Sequence, residues 1–149
     1  MSASHLPLVL ASSSPTRREL LARLGLPFEC HAPQVDESAL PGETPAAMAQ
    51  RLAHAKATAI AGECPGHLII GSDQVAVVGD RVLGKPGDRT RAAAQLALAS
   101  GRVMVFQTAL CLLDSATGRA ATRLVPFEVA LRPLTAADID RYLDREQPF

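Results

Sequence analysis

The sequence predicts an α/β protein built on a mixed sheet flanked by helices. Three observations carry that expectation. Short apolar runs in the N-terminal half each lead towards a stretch with helical spacing, which is the succession that makes parallel strands. Gly79-Asp80 lies between two extended runs as a two-residue hairpin signal, and two long β-branched runs meet across Asp114 to Gly118. Parallel units and hairpins in one chain argue for a sheet of both kinds. With 149 residues, 48% hydrophobic and 20% charged, the chain has the size and balance of one compact domain with a core.

The elements follow in order. Leu6 to Ala11 is a short strand running into three serines and Pro15, and Thr16 to Leu24 carries Leu20, Leu21 and Leu24 at helical spacing with Gly25 beyond. Phe28 to Ala32 is a second short strand, followed by a surface loop from Pro33 to Glu43. Thr44-Pro45 is an N-cap and first-turn pair opening an Ala-rich helix to Ala61, the longest expected. Leu68 to Ile70 is a strand that leaves through a Gly-Ser-Asp-Gln corner, after which Val75 to Val78 and Arg81 to Leu83 form a hairpin. Thr90 to Leu98 is a helix ended by Ser100-Gly101, Val103 to Leu113 and Thr122 to Leu131 are long strands, and Thr135 caps a last helix to Leu143. There is neither an internal repeat nor a low-complexity segment.

Charge and composition exclude several function classes. Fifteen basic and fifteen acidic side chains cancel, so no field of one sign draws the molecule onto nucleic acid or an anionic membrane. One Tyr and no Trp leave almost no platform on which single-stranded bases would stack. Cys30, Cys64 and Cys111 are widely spaced and odd in number, which predicts reduced thiols buried as small apolar groups and no structural zinc. Met1 to Pro7 lacks the pattern of a signal peptide and no apolar run approaches the roughly 20 residues of a spanning helix. The expectation is a soluble cytoplasmic protein with a free small-molecule ligand.

Two corners attract attention as chemistry. A strand ending in Ser12-Ser13-Ser14-Pro15 and feeding a helix presents amides and hydroxyls at the positive end of the helix dipole, where an anion is favoured. The plain alternative is that Ser14 only caps the helix with Pro15 at its first position. Arg17 and Arg18 bear on that choice, since cations in a first turn each cost on the order of 0.3–1 kcal/mol unless an anion offsets them. Their plain reading is solvation, with one of them paired to Glu19 or Glu43.

At the second corner, Asp73 follows the apolar run Leu68 to Ile70, so its carboxylate is expected at the carboxyl end of a buried strand, the edge where open α/β sheets hold ligands. Hydrogen bonding to nearby amides is the plain reading of such an Asp. Gln74 carries two donors and an acceptor on one amide, enough to read a base edge. Lys85, between Gly84 and Pro86, is held out from its loop because a residue before proline is pushed into an extended conformation. Asp36 and Glu37 offer further carboxylates of the kind that hold Mg²⁺ together with substrate phosphates and water. Arg51 and Lys56, five apart on the long helix, default to its exposed face.

The motifs LASSSPTRRELL, APQVDE and LIIGSDQVAVVGDRVLGKP, in this order, resemble the Maf family of nucleotide pyrophosphatases over nearly the whole chain. Ser72-Asp73-Gln74 is similar to the subgroup acting on 7-methyl-GTP, whereas the dTTP/UTP subgroup usually has threonine after the aspartate. The resemblance implies a two-lobed fold of the Maf and ITPase-like kind, with a curved mixed sheet flanked by helices and a cleft. It implies cleavage by water between the α- and β-phosphates, giving a nucleoside monophosphate and pyrophosphate. By motif match, Asp73 is the proton acceptor or a metal ligand, Glu37 a second metal ligand, and the cation Mg²⁺, Mn²⁺ or Co²⁺. Ser12, Ser14, Arg17 and Lys85 hold phosphates, with Arg18 beside Arg17 and Lys56 as helper. Thr16 and Gln74 are the specificity positions.

The chain departs from the family pattern in two places. Thr16 stands where Arg or a bulky residue is common, and the sequence stops at Phe149 where family members continue into a segment with a third specificity position. A C-terminally short single Maf-like domain over residues 1–149 is therefore expected. The partner is a small-molecule nucleotide, with no nucleic acid and no membrane, and a homodimer stays open. Two alternatives accompany this reading: the same hydrolysis of dTTP or UTP, and a catalytically weak nucleotide-binding regulator linked to septum formation.

Overall fold

The computed structural model describes residues 6–148. Strand β1 (Leu8–Leu10) leads through the serine loop into α1 (Pro15–Ala22), which ends before Gly25 at φ +71°. Then come β2 (Phe28–Cys30), the acidic loop and α2 (Pro45–Ala59), capped by Thr44 as expected. Strand β3 (Leu68–Val78) turns at Gly79-Asp80 into β4 (Arg81–Leu83), followed by α3 (Arg89–Ala99), whose N-cap is Asp88. The long strands β5 (Val103–Asp114) and β6 (Ala120–Ala130) and helix α4 (Ala136–Glu146) complete the order.

The strands form one six-stranded mixed sheet in the order β2-β1-β3-β5-β6, with β4 paired to β3. Strand β1 runs parallel to both neighbours, Leu10 standing opposite Cys30 on one side and Ile70 on the other, whereas β4 is antiparallel to β3. The mixed α/β expectation is borne out. No helix of the described residues is long and apolar enough to cross a membrane.

The chain divides into two compact units. The first runs to Gln74 and resumes over Thr108–Val125, and the second comprises Val75–Gln107 and the chain from Pro126 onward. In the first, helix α2 buries Ala49, Leu52, Ala53 and Ala57, and the core also takes in Val9, Ile69, Ala109 and Cys111. In the second, α3 and α4 pack through Ala92, Ile139 and Leu143 with Leu96 and Leu134 around them. Thr135 and Asp138 close a reciprocal capping box at the start of α4.

Two expectations need correction. The Gly-Ser-Asp-Gln segment is not a corner: β3 runs unbroken from Leu68 to Val78, and Asp73 lies in its middle. These turn-forming residues stay in a strand because tertiary contacts hold them, Gly71 under α2 and Ser72 through its hydroxyl donating to the Ala109 carbonyl at 2.9 Å. Cys30 is not buried either. It is exposed because β2 is the edge strand and turns Cys30 to solvent, while Cys64 and Cys111 are buried and all three are free thiols.

Candidate active site

The serine loop begins where β1 ends. The Ala11 amide donates to the Ile70 carbonyl at 2.8 Å, so the parallel register carries the chain beside β3 as far as the serines. The Ser14 amide donates to Ser12 Oγ at 3.0 Å, and Ser14 Oγ accepts the Arg17 amide at 3.3 Å as the N-cap of α1. Capping, the plain reading of Ser14, is thus real. It leaves the hydroxyl protons of Ser12 and Ser14 free to donate to an anion.

No acid occupies the first turn of α1. Arg17 is half-buried and Arg18 exposed, and among the described residues neither guanidinium has an acidic partner. The pairing with Glu43 weighed from the sequence is overturned, because Arg51 takes that carboxylate in a two-pronged contact of 2.6 and 2.9 Å. Among the described residues no acid offsets these two cations at the positive end of the helix, which leaves them available to an anion. Thr16, in the same turn, is exposed.

Helix α2 and strand β3 build the other half. Lys56 does not lie on an exposed face: it is 8% exposed, and its Nζ stands 2.9 Å from Asp73 Oδ1 and 2.9 Å from Glu37 Oε1. Asp73 is 7% exposed. A carboxylate and an ammonium withdrawn from water to this degree persist only as a pair. Glu37 reaches them from the acidic loop with its own side chain largely in solvent.

That loop is tied down from α2. Besides gripping Glu43, Arg51 donates from Nη2 to the Ser38 carbonyl at 3.0 Å. The contact with Arg51 draws the Glu43 carboxyl below its usual range and raises the guanidinium further. Asp36 is held within the loop: hydrogen bonds from Ser38, through its side chain and its amide, occupy its carboxylate and lower its pKa.

Glu37 and Asp73 therefore converge on one cation, and their oxygens are the donors a hard divalent ion takes. Among the described residues no group of three or more His, Cys, Asp or Glu that could hold a metal ion is assembled, here or elsewhere. Two carboxylates fit an ion whose remaining positions go to phosphate and water.

Gln74 is exposed and donates from Nε2 to Thr108 Oγ1 on β5 at 2.9 Å. Strand alternation turns it to the face opposite Asp73, so in this unit the two neighbours do not share a surface. Lys85 belongs to the second unit, exposed in the loop between β4 and α3, where Gln95 braces the turn by donating to the Gly84 carbonyl at 2.7 Å.

A profile of the Maf-like protein family matches residues 7–149 of the chain. The chain belongs to the Maf family. Among the curated relatives of this Maf chain is a 7-methyl-GTP pyrophosphatase of Pseudomonas syringae pv. tomato, 57% identical over 95% of this chain and 74% of the relative. Proteins of the same name from Thiobacillus denitrificans and Nitrosococcus oceani are 59% and 54% identical, each over 95% of this chain and 71% of their own length.

Within this Maf chain, sequence reasoning reached Lys56, Asp73 and Glu37 by motif and missed what assembles them. The Arg51–Glu43 brace had no local signal, being eight residues long across a helix start. Gly71 had one: an isolated glycine in an apolar run marks a close approach of backbone.

Proposed function

We propose that this chain hydrolyses the α–β phosphate anhydride of a modified nucleoside triphosphate, 7-methyl-GTP, to 7-methyl-GMP and pyrophosphate. The observation that carries the reading is the Lys56 ammonium at 2.9 Å from both Asp73 and Glu37, in the same unit as an uncompensated basic helix start. The names of the relatives support the substrate.

The residues divide the work as phosphoryl chemistry requires, where positioning and neutralisation of charge supply most of the catalysis. Ser12 and Ser14 donate to phosphate oxygens at the N-terminus of α1, with Arg17 and Arg18 adding charge. Asp73 accepts the proton of the attacking water. Lys56 holds that carboxylate in place and neutralises the phosphate oxygens as negative charge builds. Glu37 and Asp73 would hold a divalent cation such as Mg²⁺, Mn²⁺ or Co²⁺, which supplies Lewis-acid neutralisation of the phosphates. Lys85 holds phosphate oxygens, and Thr16, in the first turn of α1, bears on the base preference. The enzyme acts on the free nucleotide pool of the cytoplasm.

Pyrophosphate release from 7-methyl-GTP, GTP, dTTP, UTP and CTP, with Mg²⁺ or Mn²⁺, tests the reading beside the Asp73→Ala variant. We expect release from 7-methyl-GTP above the others, reduced by about 10²–10⁴ in the variant. A preference for dTTP or UTP moves the substrate, wild-type rates in the variant remove Asp73 from the chemistry, and no release from any nucleotide rejects the enzyme.

A further inference from the structure

We propose that Gly71 is a positioning residue: by admitting the backbone of α2 against β3, it places the Lys56 ammonium on the Asp73 carboxylate. The proposal rests on the hydrolase reading only for the catalytic consequence. The geometry stands by itself.

A side chain at position 71 has no room. A Cβ built there would overlap the Ala53 carbonyl oxygen and come within 2.8 Å of the Ala57 amide nitrogen and 3.0 Å of Ala57 Cβ. Two of these neighbours are helix backbone, which cannot rotate aside as a flexible side chain would. The helix face turned to the sheet is made of Ala49, Ala53 and Ala57, spaced by four and all fully buried. Alanines on one side and a glycine on the other give a contact closer than any larger pair would permit.

Lys56 and Asp73 are both indexed to that contact. Lys56 lies between Ala53 and Ala57 on α2, the residue directly before Ala57. Asp73 is two residues beyond Gly71, hence on the same face of β3 and roughly 7 Å further along it. The Lys56 side chain spans this offset to reach Asp73 Oδ1 at 2.9 Å. A β-carbon at position 71 lifts the helix, and the lysine then loses its hold on Asp73. The glycine's own φ is negative, so its requirement is space and not backbone freedom.

The test observes the Lys56 ammonium directly by ¹H–¹⁵N NMR of the full chain, its resonance assigned by absence in Lys56→Met. Wild type should show a slowly exchanging ammonium signal. Gly71→Ala should lose or shift it, and Ala57→Ser, which adds one atom to the same contact from the helix side, should weaken it. Leu52→Ala is the control, opening a cavity at a buried α2 side chain without touching the glycine, and should keep the signal. If Gly71→Ala does not fold, Ala57→Ser decides. An unchanged signal in either folded variant overturns the proposal, as does its absence in wild type or its loss in Leu52→Ala.

Turnover is the second readout, with kcat for 7-methyl-GTP expected to fall about 100-fold in Gly71→Ala, the scale of an ångström misplacement. A wild type without turnover counts against the hydrolase reading alone, because the ammonium signals still decide the role of Gly71.

Discussion

Lys56 is the residue on which the site turns, and its two partners are not equivalent. Asp73 is buried and bound to it, while Glu37 arrives from solvent. Removing Asp73 leaves the ammonium paired with Glu37, whereas removing the ammonium leaves two carboxylates facing each other with one of them out of water. Lys56→Met should therefore destabilise the protein by roughly 3 kcal/mol, and clearly more than Asp73→Ala. Urea midpoints of the two variants check this, and equal losses would mean that the carboxylates are further solvated than the geometry indicates. The identities of Asp73, Glu37 and Lys56 were legible as motif residues. Their mutual contact was not, since the default for a helix lysine is the exposed face and only the packing of α2 on β3 turns Lys56 inward.

Most elements were legible from periodicity and caps. Thr44-Pro45, Gly79-Asp80 and Thr135 mark their boundaries in the sequence, because capping and hairpin chemistry is local. The middle of β3 escaped for the complementary reason. Gly, Ser and Asp favour turns in isolation, and their strand conformation is imposed by α2 and by the Ala109 carbonyl of β5. Helix α4 offers a test at this scale. Hydrogen bonds from Thr135, its backbone amide first and then its side chain, together with Arg132 and Arg141, pull the Asp138 carboxyl well below the usual carboxylate range. A carboxylate with a lowered folded pKa contributes stability that is complete above its unfolded value and is lost as pH falls through the folded one. Asp138→Asn should accordingly be less stable than wild type at pH 7, with the gap narrowing below about pH 4. Denaturation midpoints at pH 7 and pH 3 measure it, and a gap independent of pH would contradict the lowered pKa.

Across the whole molecule, three free thiols report on how the sheet is exposed. Cys64 and Cys111 are buried, and burial pushes the Cys64 thiol upward, whereas Cys30 sits on the outer edge strand. A thiol reagent should modify one cysteine promptly in the native protein and all three after denaturation. Two or three prompt thiols would show that the first unit opens readily. The sequence by itself determined the family, the mixed α/β class, the order of elements and the chemical types at the site, because motifs, caps and alternation are short-range signals. Tertiary structure alone decided that β3 passes straight through Asp73, that Arg51 claims Glu43 and leaves Arg17 and Arg18 without an acid among the described residues, and that Gly71 brings Lys56 to Asp73. Each of these depends on residues distant in the chain meeting across packed backbone, and no local pattern encodes a contact whose second half lies on another element.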